Sequence, residues 1–548
     1  MQLGKKLLKS SATRTTRAPR ISFFVAIAFA WAAFSAVPMR AATFALGTTS
    51  LVEGPAAGSD SVVLSAGSTN SWTATTNATW LHLANPKGAG STNVIFNFNA
   101  NPGITRTGSL TIAGMNLTIT QAGSTYVAIS LPPVTVVGSG LHAPTGLSVG
   151  PRGNVYFADT DDNIVRKWIA TNNTVATVTT NGFNGSLSAP AGLAVDGAGN
   201  VYIADSGNSA IEKWLAANNT VTTLVSNGLA DPWGVAVDGA TNLYVADTLH
   251  NALGQLTVIS NTPTMITLAS NGLFHPFNLA IDAATNIYIA DYGDNAVKRW
   301  KRAGANSILT AVITNLSSPA GVAVDGSGNV YVADTGNNAI KEWIAASNTV
   351  STLAAAGLSE PFGVAVDGAG NIYFSDTLDN AIKELPRAFV DPTPELEGTA
   401  AGSDTLPGVL PATENLAGPF APASDQPWLS ITGITNGVVS FAFSSSNGTN
   451  RTGHITVLGQ AIPVTQTTGI VASPMLAGAA VSAGGLFQFS FSGSQGASYT
   501  VLWTTNLLVP LTNWPVAGAP ANVSPGVFQF TVPVSQTDPQ RFYRIRSP

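Results

Sequence analysis

Residues 199–214 read GNVYIADSGNSAIEKW, and nearly the same phrase occurs six times between positions 153 and 385. Aligned on the tyrosine, the copies fall at Tyr156, Tyr202, Tyr244, Tyr288, Tyr331 and Tyr373, spaced 46, 42, 44, 43 and 42 residues apart. A period near forty marks a propeller or an array of supersecondary units. Each unit opens with Pro-x-Gly or Pro-x-Asn, as in Pro190-Ala191-Gly192, and runs through an apolar segment such as LAVD, a turn such as GAGN, and VYIAD. A polar turn follows, then a segment reaching an aromatic residue or Leu twelve positions past the tyrosine (Trp168, Trp214, Leu256, Trp300, Trp343, Leu385), then a closing segment like NTVTTLVSNGL. Four short strands per unit make one propeller blade. LAVD and VYIAD are apolar at successive positions, as expected of strands covered on both faces.

The last unit lacks its own fourth strand, because Pro386 and AFVDPTPE interrupt the pattern after Leu385. VTVVGSGL (134–141) precedes the first Pro-x-Gly and resembles the missing strand. The reading is an all-β chain whose centre, 130–390, is a six-bladed β-propeller closed by an N-terminal strand, which removes the open sheet edge. The phrase PxG-hydrophobic-D-GxGNxYxAD-xxNxxIxxW resembles the NHL repeat. That resemblance implies a fold; the superfamily includes protein-binding and RNA-binding modules as well as lyases and lactonases similar to virginiamycin B lyase and gluconolactonase, and fold alone does not choose among them.

The composition suits such a fold. Charged residues are 10% of the 548, with 54 Gly and 32 Pro, which favours many short strands joined by tight turns. A net charge of -5, with no basic patch beyond the first twenty residues, argues against nucleic-acid binding. The basic start (Lys5, Lys6, Lys9, Arg14, Arg17, Arg20) and the apolar run of residues 21–37 have the layout of a secretory signal peptide, assigned to 1–42, the competing reading being an uncleaved anchor. The expected location is therefore secreted, extracellular or cell-surface, with no membrane span in the mature chain. The absence of cysteine excludes disulfides, thiolate metal sites and Cys nucleophiles.

Two flanking regions resemble each other. LVEGPAAGSD, then ATWLHL, then RTGSLTIAGMNLTITQAG lie within 45–124; LEGTAAGSDT, then QPWLSI, then RTGHITVLGQAIPVTQTTG lie within 395–470. Both place Gln fifteen residues after Arg (Arg106 to Gln121, Arg451 to Gln466), so both are read as one kind of small β-sandwich. The order Trp-Leu, Arg-Thr-Gly, Thr-Gln is similar to BACON domains, a family that the resemblance ties to carbohydrate or mucin binding and to spacer roles. Trp80 and Trp428 can stack on a sugar, but their identical placement favours a core role. Residues 475–548, with Phe487, Phe489 and Phe491 in alternation, form a C-terminal sandwich that looks like those ending large exported proteins of environmental bacteria.

Three motifs invite chemistry. Gly146-Leu147-Ser148-Val149-Gly150 fits the serine-hydrolase elbow, yet Ser148 aligns with Ala194, Ala236, Ala280, Ala323 and Ala365 in the inner strand, where no helix follows. Asp159-Thr160-Asp161-Asp162-Asn163 starts like a calcium loop but has Ile164 and Ala170 where Gly and Glu are needed. The repeat aspartates Asp159, Asp205, Asp247, Asp291, Asp334 and Asp376 occur in every copy, and a single ligand breaks symmetry; they are read as structural, accepting hydrogen bonds in their own turns.

Function is sought where the copies differ. The connection into the inner strand and the turn between the second and third strands share one face, which gathers Asp231, His275 and Glu360 around the channel mouth, with Trp233, Phe277, Phe362 and His250 beside them. Polar groups among aromatics on a concave face form a ligand site. The resulting expectation is a non-catalytic, monomeric binding protein for a polysaccharide, glycoprotein or protein partner, with no catalytic residue and no cofactor. The alternative is a metal-dependent lyase or lactonase using His142, His250 and His275 to hold a divalent ion; a structural or adhesive spacer is third.

Overall fold

Every copy of the LAVD segment forms an inner strand that begins at its proline, and every copy of VYIAD forms a second strand that ends at its aspartate, as in Pro190–Val195 and Val201–Asp205. In the computed structural model, which describes residues 44–546 apart from 183–184, 260–261, 304–305, 468–474, 482–485, 493–498, 506–513, 525–526 and 535–540, the second strands are buried at all five positions in each unit. The expected signal segment lies outside the described residues. Third and fourth strands, Ala210–Leu215 and Thr220–Val225 here, complete an antiparallel sheet whose outermost strand is largely exposed.

Six such four-stranded sheets form the six blades of a β-propeller. Blade 6 has only three strands of its own; Val134–Val137 pairs antiparallel with Ala381–Leu385 and supplies the fourth. Ser148 lies within the inner strand Pro144–Val149, opposite Tyr156, and so occupies no elbow.

The hydrophobic core is divided between blades. Tyr156 and Val165 of blade 1 pack with Leu193, Val201 and Trp214 of blade 2, and equivalent clusters fill the following gaps. At the centre the inner strands come so close that a Cβ on Gly146, Gly192, Gly234, Gly321 or Gly363 would sit 2.3–2.5 Å from a carbonyl oxygen of the next blade. Only glycine fits such an approach. Blade 4 alone carries a side chain there, Asn278, which lines a channel of about 180 Å³.

Two β-sandwiches flank the propeller in sequence. The first joins a four-stranded and a five-stranded sheet over a core that includes Val62, Trp72, Phe96 and Ile119. The second joins four-stranded and three-stranded sheets, and its Leu406, Phe441 and Ile455 belong to the same hydrophobic cluster as Trp168 and Tyr373 of blades 1 and 6. At the C-terminus, four-stranded and three-stranded sheets enclose Phe489, Phe491, Val501 and Phe528.

The sandwiches meet the propeller on one side, the lower face, where the turns between first and second strands lie. Val63 N–H donates to Gly326 O at 3.1 Å and Ser61 Oγ to Ser327 O at 2.7 Å, both on a blade 5 turn. The second sandwich lies below blades 6 and 1, with Gly418 against Asn173. The chain segments that join it are themselves paired, Val127–Ala128 antiparallel to Phe389–Val390.

Candidate functional site on the upper propeller face

Each repeat aspartate reaches back to the loop that leads into its own blade. One carboxylate oxygen of Asp159, Asp205, Asp247, Asp291, Asp334 and Asp376 accepts the N–H of His142, Ser188, Ala230, Phe274, Ser317 and Ser359 at 2.6–2.8 Å. The donor stands seventeen residues earlier, so the bond fastens the lead-in loop rather than the aspartate's own turn. The other oxygen meets Arg166, Asn208, His250, Lys298, Lys341 or Lys383. In blade 1 this cation also meets Asp162, so two of the three carboxylates in the 159–163 turn are paired with their own strand.

The next residue of each lead-in loop, just before the repeat proline, is left-handed: Ala143, Ala189, Asp231, His275, Ser318 and Glu360 have φ between 45° and 52°. A side chain pays strain in that region, more so before proline. Five of the six N–H groups are held by an asparagine from the preceding blade at 2.6–2.8 Å, the last bond running from Ala143 N–H to Asn380 and closing the circle. A second circle runs beside it. The hydroxyls of Thr160, Thr248, Thr335 and Thr377 donate to the proline carbonyl of the next blade at 2.7–2.9 Å.

Both circles are broken on one side of the ring. Where the others have asparagine, blade 2 has Ser209; its Ser206 donates to the Asp231 carboxylate instead of the proline carbonyl. Blade 4 replaces the threonine by Tyr292. Tyr292 stacks on Phe277 with ring centroids 4.2 Å apart, Phe277 stacks on Trp233 at 4.8 Å, and Phe362 closes on both at 5.9 and 5.4 Å. The structure thus joins Trp233, Phe277 and Phe362 and adds Tyr292, all half-buried at the channel mouth. Tyr292 stands out in the sequence as the one aromatic residue following a repeat aspartate, although its place in an otherwise polar turn carries no sign of the stack.

Of the polar residues expected beside this cluster, Asp231 is held by Ser206, Glu360 is exposed and bonded through its backbone N–H and carbonyl, and the His275 ring stacks on Phe274 at 4.5 Å. Leu249, Phe274 and Leu378 on the same face are 58%, 47% and 60% exposed, an apolar surface that a soluble loop does not require.

The three histidines proposed as metal ligands are not assembled. His142 Nδ1 lies 3.0 Å from Asp162 in blade 1, His250 Nδ1 lies 2.9 Å from Asp247 in blade 3, and His275 belongs to blade 4. Among the described residues no group of three or more His, Asp or Glu side chains is arranged to hold a metal ion. The Asp162 hydrogen bond also raises the His142 pKa.

The sandwich tryptophans are placed differently from either expectation. Trp80 and Trp428 are half-buried, one side against the core and the other under Arg106 and Arg451 at 4.4 and 4.1 Å. Each arginine is held by the glutamine fifteen residues on, at 2.9 and 2.7 Å, and that glutamine donates to backbone carbonyls near the start of its sandwich. The ring face that a sugar would need is covered.

The NHL-repeat family profile matches residues 187–214 and 316–343, and the BACON profile, described as an N-terminal binding domain, matches 70–122. No curated protein matches the chain. Among solved structures it is similar to a gluconolactonase from Xanthomonas campestris (15% identity, 47% of this chain and 96% of that one, TM-score 0.40). It is similar also to virginiamycin B lyase from Staphylococcus aureus (13%, 48% and 88%, 0.35) and to an auxiliary nutrient binding protein from Bacteroides thetaiotaomicron (12%, 63% and 96%, 0.40). No helix among the described residues is long and apolar enough to cross a membrane. The chain is thus an all-β protein of NHL repeats and a BACON domain, its repeats closed into a six-bladed propeller.

Proposed function

We propose that the protein is exported and binds a polysaccharide or the glycan of a glycoprotein, without catalysis, through the upper face of its propeller. The observation that carries this reading is the convergence of the symmetry-breaking residues into one aromatic cluster. Trp233, Phe277, Tyr292 and Phe362 come from three blades and serve none of the bonds that hold the ring. Half-exposed aromatic surface flanked by Asp231, His250, His275 and Glu360 suits sugar rings, whose C–H faces stack and whose hydroxyls need polar partners. The lower face is occupied by the sandwiches, which leaves the upper face open to a partner. The basic and then apolar N-terminus supports export.

A glycan array probed with the full chain tests this. Binding to a glycan class is expected, and Trp233→Ala is expected to weaken it by about 2 kcal/mol, as for a central aromatic anchor. An empty array removes the carbohydrate reading. Stoichiometric divalent metal in the purified protein, lost on changing His250 and His275 to Ala, would turn the assignment towards a lyase or lactonase.

A further inference from the structure

A second cavity, of about 750 Å³, lies on the opposite face, where blades 6 and 1 meet both sandwiches. Its walls include Val149, Tyr373, Leu416 and Ile434, with Glu414 and Asn415 from the second sandwich. Cavities of this size at a junction of domains are common seats for small molecules. What distinguishes this one is a pair of buried carboxyl groups with no cation beside them. Glu414 is 6% exposed and Glu384 0% exposed; among the described residues neither meets a lysine or arginine, their nearest polar neighbours being the Asn371 amide and the Tyr373 phenol, and the buried Asn415 amide nitrogen has no partner.

The position of Glu384 shows what is missing. The third-strand residue paired with each repeat tyrosine is Lys167, Lys213, Gln255, Arg299, Glu342 and Glu384 in blades 1 to 6. Glu342 meets the Arg387 guanidinium at 3.3 Å. Glu384 faces Glu414, Asp367 and the Tyr373 phenol, with no cation. The one basic residue of the cavity wall, Arg152, is exposed to solvent. Burial first, then mutual repulsion, pushes Glu384 up to about 9; burial and the charge of Asp367 push Glu414 up to about 8, against the pull of the Asn371 amide.

We propose that this cavity binds a small organic cation, an aliphatic amine, whose ammonium is received by Glu414 with Glu384 behind it. The carboxylates are not arranged for a metal ion, whereas the volume and the apolar walls suit a short carbon chain. The oxygens lie beneath the cavity wall, so Glu414 turns on its loop to meet the ligand, and the proton it carried leaves to solvent.

Calorimetric titration of the full chain with n-butylamine, and with n-butanol as the uncharged match, tests the site at neutral pH. The amine is expected to bind at least about tenfold more tightly than the alcohol. Glu414→Gln is expected to abolish that preference, and so is Ile434→Trp, which narrows the cavity from its exposed wall and leaves both carboxyls in place. Trp233→Ala is expected to leave it intact, which separates this site from the upper face. Equal binding of alcohol and amine, no binding of either, or unchanged amine binding in both cavity variants would overturn the proposal.

Discussion

Asp334 has three duties at once: it accepts from Ser317 N–H at 2.6 Å and Asn337 Nδ2 at 2.8 Å, and it meets Lys341 Nζ at 2.6 Å, all while fully buried. Removing one partner of a buried pair strands the other, so Asp334→Ala is expected to cost about 3 kcal/mol, read from denaturant unfolding. Ser209 offers the opposite experiment. It is left-handed at φ 49°, a conformation asparagine favours, and it is the one break in the asparagine circle. Ser209→Asn is expected to stabilise the fold by about 1 kcal/mol through a bond to Asp231 N–H, and a lowered melting temperature would refute that account. The structural part of these residues was legible because they recur. The direction of the bonds was not, since spacing along the chain does not say which loop folds back on which turn. Nor does it say that the residue before each proline is left-handed, a backbone constraint that Asp231, His275 and Glu360 share with Ala143, Ala189 and Ser318.

At the level of strands and sheets, six blades and a borrowed closing strand could be read from the repeat and its truncation after Leu385, because strand identity here is set by local apolar runs. Val137 is 6% exposed in that closing strand. Val137→Asp would bury an unpaired charge at the only place where the ring is closed by a distant segment, and is expected to cost at least about 3 kcal/mol, checked by the unfolding midpoint and by the appearance of oligomers through the bared edge of Ala381–Leu385. In the sandwiches the shared Trp-Arg-Gln order was visible in the sequence, but its meaning was not: a tryptophan whose second face is roofed by arginine is neither an open platform nor a wholly interior side chain. That distinction depends on a contact between strands, Arg106 opposite Gln121 and Arg451 opposite Gln466.

For the molecule as a whole, the buried carboxyls set the response to pH. The folded-state pKa of Glu384, about 9 against an ordinary 4.5, means that the folded chain holds a proton that the unfolded chain has lost. The corresponding stability is complete below the unfolded value and is lost as pH rises towards the folded one. The melting temperature is therefore expected to fall between pH 5 and pH 9, and to fall less in Glu384→Gln. Glu53 and Asp60 in the first sandwich are displaced in the same direction, chiefly by burial, and add to the slope. None of this was accessible from the sequence, because Glu384 and Glu414 meet only when a sandwich packs beneath the ring.

The paired linkers also define how the chain carries tension. Val127 faces Val390 at the outer end of a short antiparallel ladder, and the chain beyond each leads to a flanking sandwich. Pull on those sandwiches acts on that end of the ladder, parting it one rung at a time instead of shearing all rungs together. Along the chain the next link is Val134–Val137, while the first sandwich also pulls on blade 5 through Val63 and Ser61. A tethered molecule under drag would therefore strain its clasp through the linkers and blade 5 through the sandwich bonded beneath it.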